Sequence, residues 1–65
     1  MEVKLGQVYQ YYKGGYYIVT DIVQHTETGE CLVVYQDEKG GRWARPYEMF
    51  TEYMDDLKCY RFEEI

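Results

Sequence analysis

The chain has 65 residues and a formal net charge of −5; 46% of its residues are hydrophobic and 18% are aromatic. This length predicts one domain, residues 1–65, with little room for an enclosed active-site cavity. Nucleic-acid binding depends on Lys and Arg residues that neutralise phosphates, so 7 basic against 12 acidic residues argue against a general nucleic-acid binder. The same charge disfavours an anionic membrane surface, and no run approaches the ~18 apolar residues of a membrane span.

The cysteines and the first residues indicate the compartment. Two cysteines, Cys31 and Cys59, are too few for the disulfide scaffold of a small secreted domain. The N-terminal segment is polar and aromatic and lacks the apolar h-region of a signal peptide. We therefore expect a cytoplasmic protein in which both thiols are reduced.

Two strands and a tight turn are predicted at the start of the chain. Residues 7–12 are rich in strand-forming Val and Tyr. Residues 13–15 have the sequence Lys-Gly-Gly, which tolerates the positive φ angles of a tight turn. Residues 16–23 form the longest β-branched and aromatic run and predict the second strand.

The alternation of apolar side chains in this second strand is imperfect. A period of two places Tyr17 and Val19 on one face of the strand and Ile18 and Ile22 on the other. The polar side chain of Asp21 interrupts the apolar series, which predicts a β-bulge or a bend at this point.

The middle of the chain predicts a second pair of strands. Residues 25–30 contain Thr-Gly and predict a loop. Residues 31–36 predict a compact apolar strand, in which Cys31 is expected to be a small core residue. Residues 37–41, with the sequence Asp-Glu-Lys-Gly-Gly, predict a hairpin turn, and residues 42–45 predict a short strand after it.

The end of the chain combines a helical signal with a last strand. Residues 46–50 predict a single helical or 3₁₀ turn, because their Pro pre-sets φ and their Glu favours the N-terminal end of a helix. Residues 53–56 are ambiguous, and residues 60–64 predict a last short strand. Turn signals every ~8–12 residues separate five or six short antiparallel strands, a pattern that predicts an all-β fold, a small SH3-like barrel.

An ordered series of short motifs spans nearly the whole chain. It comprises Gly6-x-x-Tyr9, Tyr12-Lys13-Gly14, Tyr17, His25-x-Glu27-Thr28, Val33-Val34-Tyr35-Gln36, Trp43-x-Arg45-Pro46, Met49-Phe50 and Arg61-Phe62. The series resembles the bacterial family known as domain of unknown function 1653, and the resemblance implies an SH3-like barrel with no established activity. Two departures from the family pattern are present. Members often carry Arg-His where this chain has Gln10 and Tyr11, and Pro where it has Tyr60. If the usual Arg and His bind an anion, this chain lacks part of that site.

One cluster of aromatic and basic residues predicts a binding face. Tyr35 and Gln36 end one strand, and Trp43 and Arg45 lie in the strand that a tight hairpin pairs with it. Arg61, from the last strand, is expected to reach the same rim. Aromatic faces beside guanidinium groups stack a nucleobase, hold a proline-rich peptide, or clamp a carboxylate or phosphate. The competing interpretation is structural: each Arg covers a ring and pairs with a nearby carboxylate, and Trp43 is a central core residue.

No catalytic or metal site is predicted. The chain has no serine, and His25 lies in a polar loop with no nucleophile at a recognisable spacing. The spacing of His25, Cys31 and Cys59 matches no zinc motif. The acidic pairs 55–56 and 63–64 each point to opposite faces of a strand, so neither pair converges on a substrate. We therefore expect no cofactor, no metal ligand and no enzymatic activity.

These observations favour a small non-enzymatic binding module. The proposed face for a peptide or an anionic partner consists of Tyr35, Gln36, Trp43, Arg45 and Arg61. The alternative is a nucleotide or single-stranded nucleic-acid binding domain, which requires the acidic residues to lie on the opposite face. A protein or peptide partner is therefore favoured over a nucleic acid. A homodimer is also compatible with a tyrosine-rich surface on so small a domain.

Overall fold

A computed structural model describes residues 2–65 of the chain. Its elements follow in the order β1 (Val8–Tyr11), β2 (Tyr16–Gln24), β3 (Cys31–Asp37), β4 (Arg42–Pro46), α1 (Tyr47–Phe50), β5 (Tyr53–Met54), β6 (Cys59–Tyr60) and β7 (Phe62–Glu64). The helical turn begins directly after Pro46, where the fixed φ of proline suits a helix start. The predicted helical turn is therefore confirmed over Tyr47–Phe50, while Pro46, the predicted first residue of the turn, is the last residue of β4.

The strands form a five-stranded antiparallel sheet and a separate two-stranded ladder. The strand order of the large sheet is β4-β3-β2-β1-β7, and β5 pairs with β6. The all-β fold class is confirmed. Strands β4 and β7 are the two edges of the large sheet and form no ladder with each other in residues 2–65, so closure into an SH3-like barrel stays a prediction. No helix in this part of the chain has the length and hydropathy that a membrane crossing needs.

Two tight hairpins are closed by the same kind of backbone hydrogen bond. In the first, the Gly14 N–H donates to the Tyr11 C=O at 2.8 Å. In the second, the Gly40 N–H donates to the Asp37 C=O at 3.1 Å. Gly14 and Gly40 have φ angles of +105° and +88°, which a residue without Cβ adopts at low cost. Both Gly-Gly pairs therefore act as turns, as their sequence predicts.

Strand β2 carries the predicted bulge, and the bulge changes which of its residues share a face. The register with β3 shifts between Val19 and Asp21, so β2 has one extra residue at this point. The extra residue reverses the alternation of faces beyond it. Ile22 consequently pairs with the buried Val33 and lies on the same face as Val19. The predicted opposite face for Ile22 was wrong, because a period of two was counted through the bulge.

The last predicted strand, residues 60–64, is divided between two sheets. Strand β6 pairs with β5, whereas β7 pairs with β1. Arg61 lies between them: its N–H donates to the Glu52 C=O at 3.0 Å, and its C=O accepts the Tyr12 N–H at 3.0 Å. The prediction of a single strand was wrong here, because local composition indicates extended backbone but not the ladder in which each residue pairs.

An aromatic core lies where the helical turn meets the sheet. Its buried residues are Val3, Tyr9, Val19, Val33, Tyr35, Phe50 and Phe62. The rings of Phe50 and Phe62 stack with their centroids 4.1 Å apart, and the Tyr9 ring meets Phe50 edge to face at 5.3 Å. Each buried aromatic ring removes ~150–250 Å² from water, so a few of them stabilise a very short chain. Cys31, which was expected in this core, is exposed.

The tyrosines of the core have hydrogen-bond partners for their hydroxyl groups. The Tyr9 oxygen accepts the Lys4 N–H at 3.0 Å. The oxygen of the half-buried Tyr47 accepts the Val3 N–H at 3.1 Å. An unpaired buried hydroxyl costs ~1–3 kcal/mol, so these bonds avoid that cost. They also hold the N-terminal segment against the core.

Replacing Phe50 with Ala is expected to unfold much of the protein. Loss of a fully buried aromatic ring costs about 3–5 kcal/mol. A domain of this size has a total stability of only about 3–10 kcal/mol. Urea denaturation followed by tyrosine fluorescence measures the loss.

The matched control for this variant is Leu57→Ala. Leu57 is 51% exposed, and its truncation is expected to change the free energy of unfolding by no more than about 0.5 kcal/mol. Equal stability of the two variants would contradict the central place of Phe50 in the core.

Candidate functional site

The β3–β4 hairpin brings three of the five predicted site residues to one face of the sheet. Tyr35 pairs directly with Trp43. Cross-strand partners share a face, as do alternate residues of one strand, so Arg45 lies on this face too. Gln36, the next residue of β3, points to the opposite face and lines a different hollow. The structure therefore does not bring Gln36 to the other predicted residues.

Trp43 is an exposed ring that is anchored at its edge. The residue is 55% exposed, so it is not part of the core. Its indole N–H donates to Asp37 Oδ2 at 3.0 Å, while Asp37 Oδ1 accepts the Lys39 N–H at 2.9 Å and the Gly41 N–H at 2.8 Å. The bond from Trp43, followed by that from Gly41, holds the pKa of Asp37 below its ordinary value. The hairpin turn therefore fixes the position of the indole.

The Arg45 guanidinium lies among aromatic rings. Its Nε–H donates to the Tyr35 hydroxyl at 3.3 Å. Its central carbon lies 5.7 Å from the centroid of the Tyr11 ring and 5.6 Å from that of Phe62, within range of cation–π attraction. Among residues 2–65, no carboxylate oxygen lies within 4.0 Å of an Arg45 nitrogen. Its positive charge is therefore held in place without a neutralising partner.

These side chains line a shallow pocket of about 180 Å³, which we call the Arg45 pocket. Its lining residues are Tyr11, Tyr17, Tyr35, Trp43, Arg45 and Phe62. The walls are thus aromatic, with a single positive charge. The rings support one another, as where Tyr17 meets Tyr35 edge to face at 5.5 Å. The volume lies below the ~300–1,000 Å³ of typical small-molecule sites, so the pocket suits a group the size of one side chain.

Tyr11 lies between two arginines. Partial burial raises the pKa of its phenol, but the side chains of Arg61 and Arg45 lower it by more, so the pKa lies below its ordinary value. Both guanidinium groups favour negative charge on the Tyr11 oxygen. An anionic group of a ligand at this point experiences the same attraction.

The Arg61 side chain is paired with Glu52 and is not among the residues that line the Arg45 pocket. Its Nη2 donates to Glu52 Oε1 at 2.7 Å, and its side chain is 18% exposed. This bond raises the pKa of Arg61 against the opposing effect of burial, and Tyr11 adds to the rise. Its Nε is buried and has no acceptor within residues 2–65. Because Glu52 neutralises its charge, Arg61 contributes less to an anion site than Arg45 does.

His25 caps its own loop. Its Nδ1 accepts the Glu27 N–H at 3.0 Å and the Thr28 N–H at 3.4 Å. Across the described part of the chain, residues 2–65, no group of three or more His, Cys, Asp or Glu side chains is placed to hold a metal ion. The ring of His25 therefore has a structural role in the loop.

Three pocket residues were absent from the predicted site. They are Tyr11, Tyr17 and Phe62. Tyr11 and Phe62 are cross-strand partners in β1 and β7. A period of two from the buried Tyr9 places Tyr11 on the core side, so the sequence carried that signal. The pairing of β1 with β7, which brings in Phe62, had no local signal.

A second hollow, of about 440 Å³, has the opposite chemistry. It is lined by Glu30, Cys31, Pro46, Tyr47 and Glu48. Its two carboxylates repel an anion, and no basic side chain lines it. The two hollows therefore select different ligands, and of these two the Arg45 pocket is the one that combines aromatic walls with a positive charge.

Comparison with known proteins identifies one family. The family described as "Protein of unknown function (DUF1653)" matches residues 7–64, nearly the whole chain. No curated protein and no solved structure matches the chain. The resemblance predicted from the ordered motifs is therefore confirmed at the level of the family.

Replacing Arg45 with Gln is expected to raise the pKa of the Tyr11 phenol, because one of the two guanidinium groups that favour the phenolate is removed. The ¹³C shift of the labelled tyrosine ring, followed through an alkaline titration, measures the change. A depressed folded-state pKa stabilises the protein above the unfolded pKa of ~10, and this gain is lost as the pH falls through the folded pKa. The variant therefore loses this contribution at alkaline pH only.

The control for this titration is Arg42→Gln, which removes the same charge from a residue that is paired with Asp21 at 3.3 Å. It is expected to leave the titration of Tyr11 unchanged. If Arg45→Gln also left it unchanged, the placement of Arg45 beside Tyr11 would be wrong.

Replacing Trp43 with Phe is expected to raise the pKa of Asp37 towards its ordinary value, because the indole N–H is the main group that lowers it. The depressed pKa stabilises the folded protein above the unfolded pKa of ~3.9, and this gain is lost as the pH falls through the folded pKa. The carboxyl ¹³C shift of Asp37 in an acid titration measures the change. An unshifted Asp37 would show that the indole bond is not formed in solution.

Proposed function

This chain belongs to the DUF1653 family of proteins of unknown function, and we propose that it is a non-enzymatic binding module. Its partner is a protein or peptide that carries a carboxylate. The recognition site is the Arg45 pocket. The observation that carries the proposal is the Arg45 guanidinium, which sits among aromatic rings with no carboxylate partner in residues 2–65.

The proposal follows from a comparison of Arg45 with the other two arginines, both of which form ion pairs. Arg42 is paired with Asp21 at 3.3 Å, and Arg61 with Glu52 at 2.7 Å. An arginine that only covers a ring either keeps its charged end in water or pairs it with a carboxylate, as Arg42 and Arg61 do. A guanidinium presents donors in a planar fork that matches a carboxylate. Arg45 therefore offers the free binding capacity that its neighbours have already used.

The surroundings of Arg45 favour binding in a second way. The Tyr35 hydroxyl and the rings of Tyr11 and Phe62 already restrict the guanidinium. An immobilised side chain loses ~0.5–1.5 kcal/mol of rotamer entropy, and here much of that cost is met by folding. The exposed face of Trp43 lies beside it and can cover an apolar part of the partner.

The charge distribution favours a peptide over a nucleic acid. A nucleic-acid surface must contact many phosphates with free basic groups. Three of the 7 basic residues of this chain are paired with carboxylates. The other four are Lys13, Lys39, Lys58 and Arg45, and of these only Arg45 lines the Arg45 pocket, so this site presents one charge, which suits one carboxylate better than a phosphate backbone. Nucleotide binding is therefore an outcome that the experiment must distinguish.

The test is an amide NMR titration of the labelled protein with a short acetylated and amidated peptide, Thr-Glu-Thr-Leu-Thr. Shifts centred on Tyr35, Trp43 and Arg45 are expected. Arg45→Gln is expected to weaken binding about tenfold or more, because a hydrogen bond to a charged group contributes ~1.5–3 kcal/mol. The matched control is Arg42→Gln, which removes the same charge from the opposite face of β4.

Two further titrations, one with an uncharged peptide and one with nucleotides, can contradict the proposal. A peptide with Gln in place of Glu must bind as weakly to the wild type as the original peptide binds to Arg45→Gln. Equal binding of both peptides, or no binding of either, overturns the proposal. Tighter binding of mixed nucleoside monophosphates, with an affinity that falls steeply with salt, assigns the pocket to nucleotides.

A further inference from the structure

Strand β4 is an edge of the large sheet, and one side of it is open. Within residues 2–65 only β3 pairs with it, and residues 42–44 are all exposed. We infer that the carboxylate-bearing partner binds as an extended peptide that adds a further strand to β4. This inference rests on the proposed function and specifies the form of its ligand. Main-chain pairing then supplies affinity, while the Arg45 pocket supplies specificity.

The hairpin register shows which backbone groups of β4 bond to β3. The Asp37 N–H donates to the Gly41 C=O at 2.8 Å at the start of the ladder. Hydrogen-bonded and non-hydrogen-bonded pairs alternate along an antiparallel ladder. Counting from Gly41 in the observed register, Trp43 and Arg45 belong to the hydrogen-bonded pairs. Their N–H and C=O groups are therefore used within the sheet.

The intervening residues of β4 direct their backbone groups outward. They are Arg42 and Ala44, and within residues 2–65 no backbone partner outside the strand ladders bonds to them. The next outward position is Pro46, which has no N–H to donate. The available edge is therefore short, and an added strand makes its main-chain bonds to Arg42 and Ala44.

The positions of the side chains in an added strand predict which peptide sequences β4 prefers. Residues opposite Trp43 and Arg45 fall on the face of the Arg45 pocket, with Cβ atoms ~4.5–5.5 Å from their partners. An acidic residue opposite Arg45 and an apolar residue opposite Trp43 complement the two. In antiparallel pairing the acidic residue comes two positions before the apolar one.

The other edge of the sheet lacks this complementarity. Strand β7 carries Glu63 and Glu64 in its three residues. Strand β4 carries no acidic residue, and its Arg45 has no carboxylate partner in residues 2–65, whereas its Arg42 is paired with Asp21. An acidic peptide is therefore repelled by one edge and attracted by the other, despite the net negative charge of the whole chain.

The experiment uses the wild-type protein and two backbone-methylated forms of the peptide Thr-Glu-Thr-Leu-Thr. In the antiparallel register, the N–H of the central Thr points at Ala44, and the N–H of Leu points away from β4. N-methylation of the central Thr is expected to weaken binding about tenfold or more. N-methylation of Leu, the matched control, is expected to leave the affinity within about threefold. Hydrogen exchange of the Ala44 amide is expected to slow when the unmodified peptide binds.

The outcomes separate this inference from the proposed function. Equal affinities of the two methylated peptides, with binding still lost in Arg45→Gln, overturn the added strand and leave the carboxylate site standing. No binding of the unmodified peptide overturns both. Concentration-dependent shifts of the Arg42 and Ala44 amides without peptide assign the edge to a second copy of the chain and overturn the peptide as its occupant.

Discussion

The stack of Phe50 on Phe62 is the contact on which the rest of the molecule depends. Phe50 ends α1, and Phe62 begins β7, and their rings lie 4.1 Å apart and nearly parallel. Because α1 follows β4 and β7 pairs with β1, the stack ties one edge of the large sheet to the other. Strand β7 pairs with β1 over only three residues, the short end of the usual range of strand length. Burial of the two rings therefore determines where the end of the chain lies.

The candidate site shares residues with this core. The Phe62 ring stacks on Phe50 with one face and lies under the Arg45 guanidinium as a wall of the pocket. Tyr35 is only 5% exposed, yet its hydroxyl accepts the Arg45 Nε–H. A domain this small cannot build a site separate from its core, so the same rings serve both. Side chains that stabilise the fold thereby also fix the charge that faces the partner.

The arginines divide by their partners. Arg61 is neutralised by Glu52 and carries the chain from one sheet to the other, and Arg42 is paired with Asp21 on the outer face. Arg45 has rings and a hydroxyl around it instead of a carboxylate. A positive charge that has no carboxylate partner in the folded protein is available for binding. Residue type alone does not reveal which arginine has such a partner, whereas the structure identifies Arg45 as the one without.

The sequence by itself determined the local structure: the strands of the β2–β3–β4 meander, the Gly-Gly turns, the bulge at Asp21 and the helical turn after Pro46. It also determined that Tyr35 and Trp43 are neighbours, because a tight hairpin sets their register. Only the tertiary structure decided that Trp43 is exposed and that Tyr11 and Phe62 line the pocket. It also decided that Arg61 forms an ion pair with Glu52 and that the last predicted strand is divided between two sheets. Gln36 is an intermediate case, since a period of two along β3 already places its side chain on the other face of the sheet from Tyr35. The physical reason for the division is range: turn geometry and alternation depend on a few adjacent residues, whereas burial and ion pairing depend on which remote segments the core brings together.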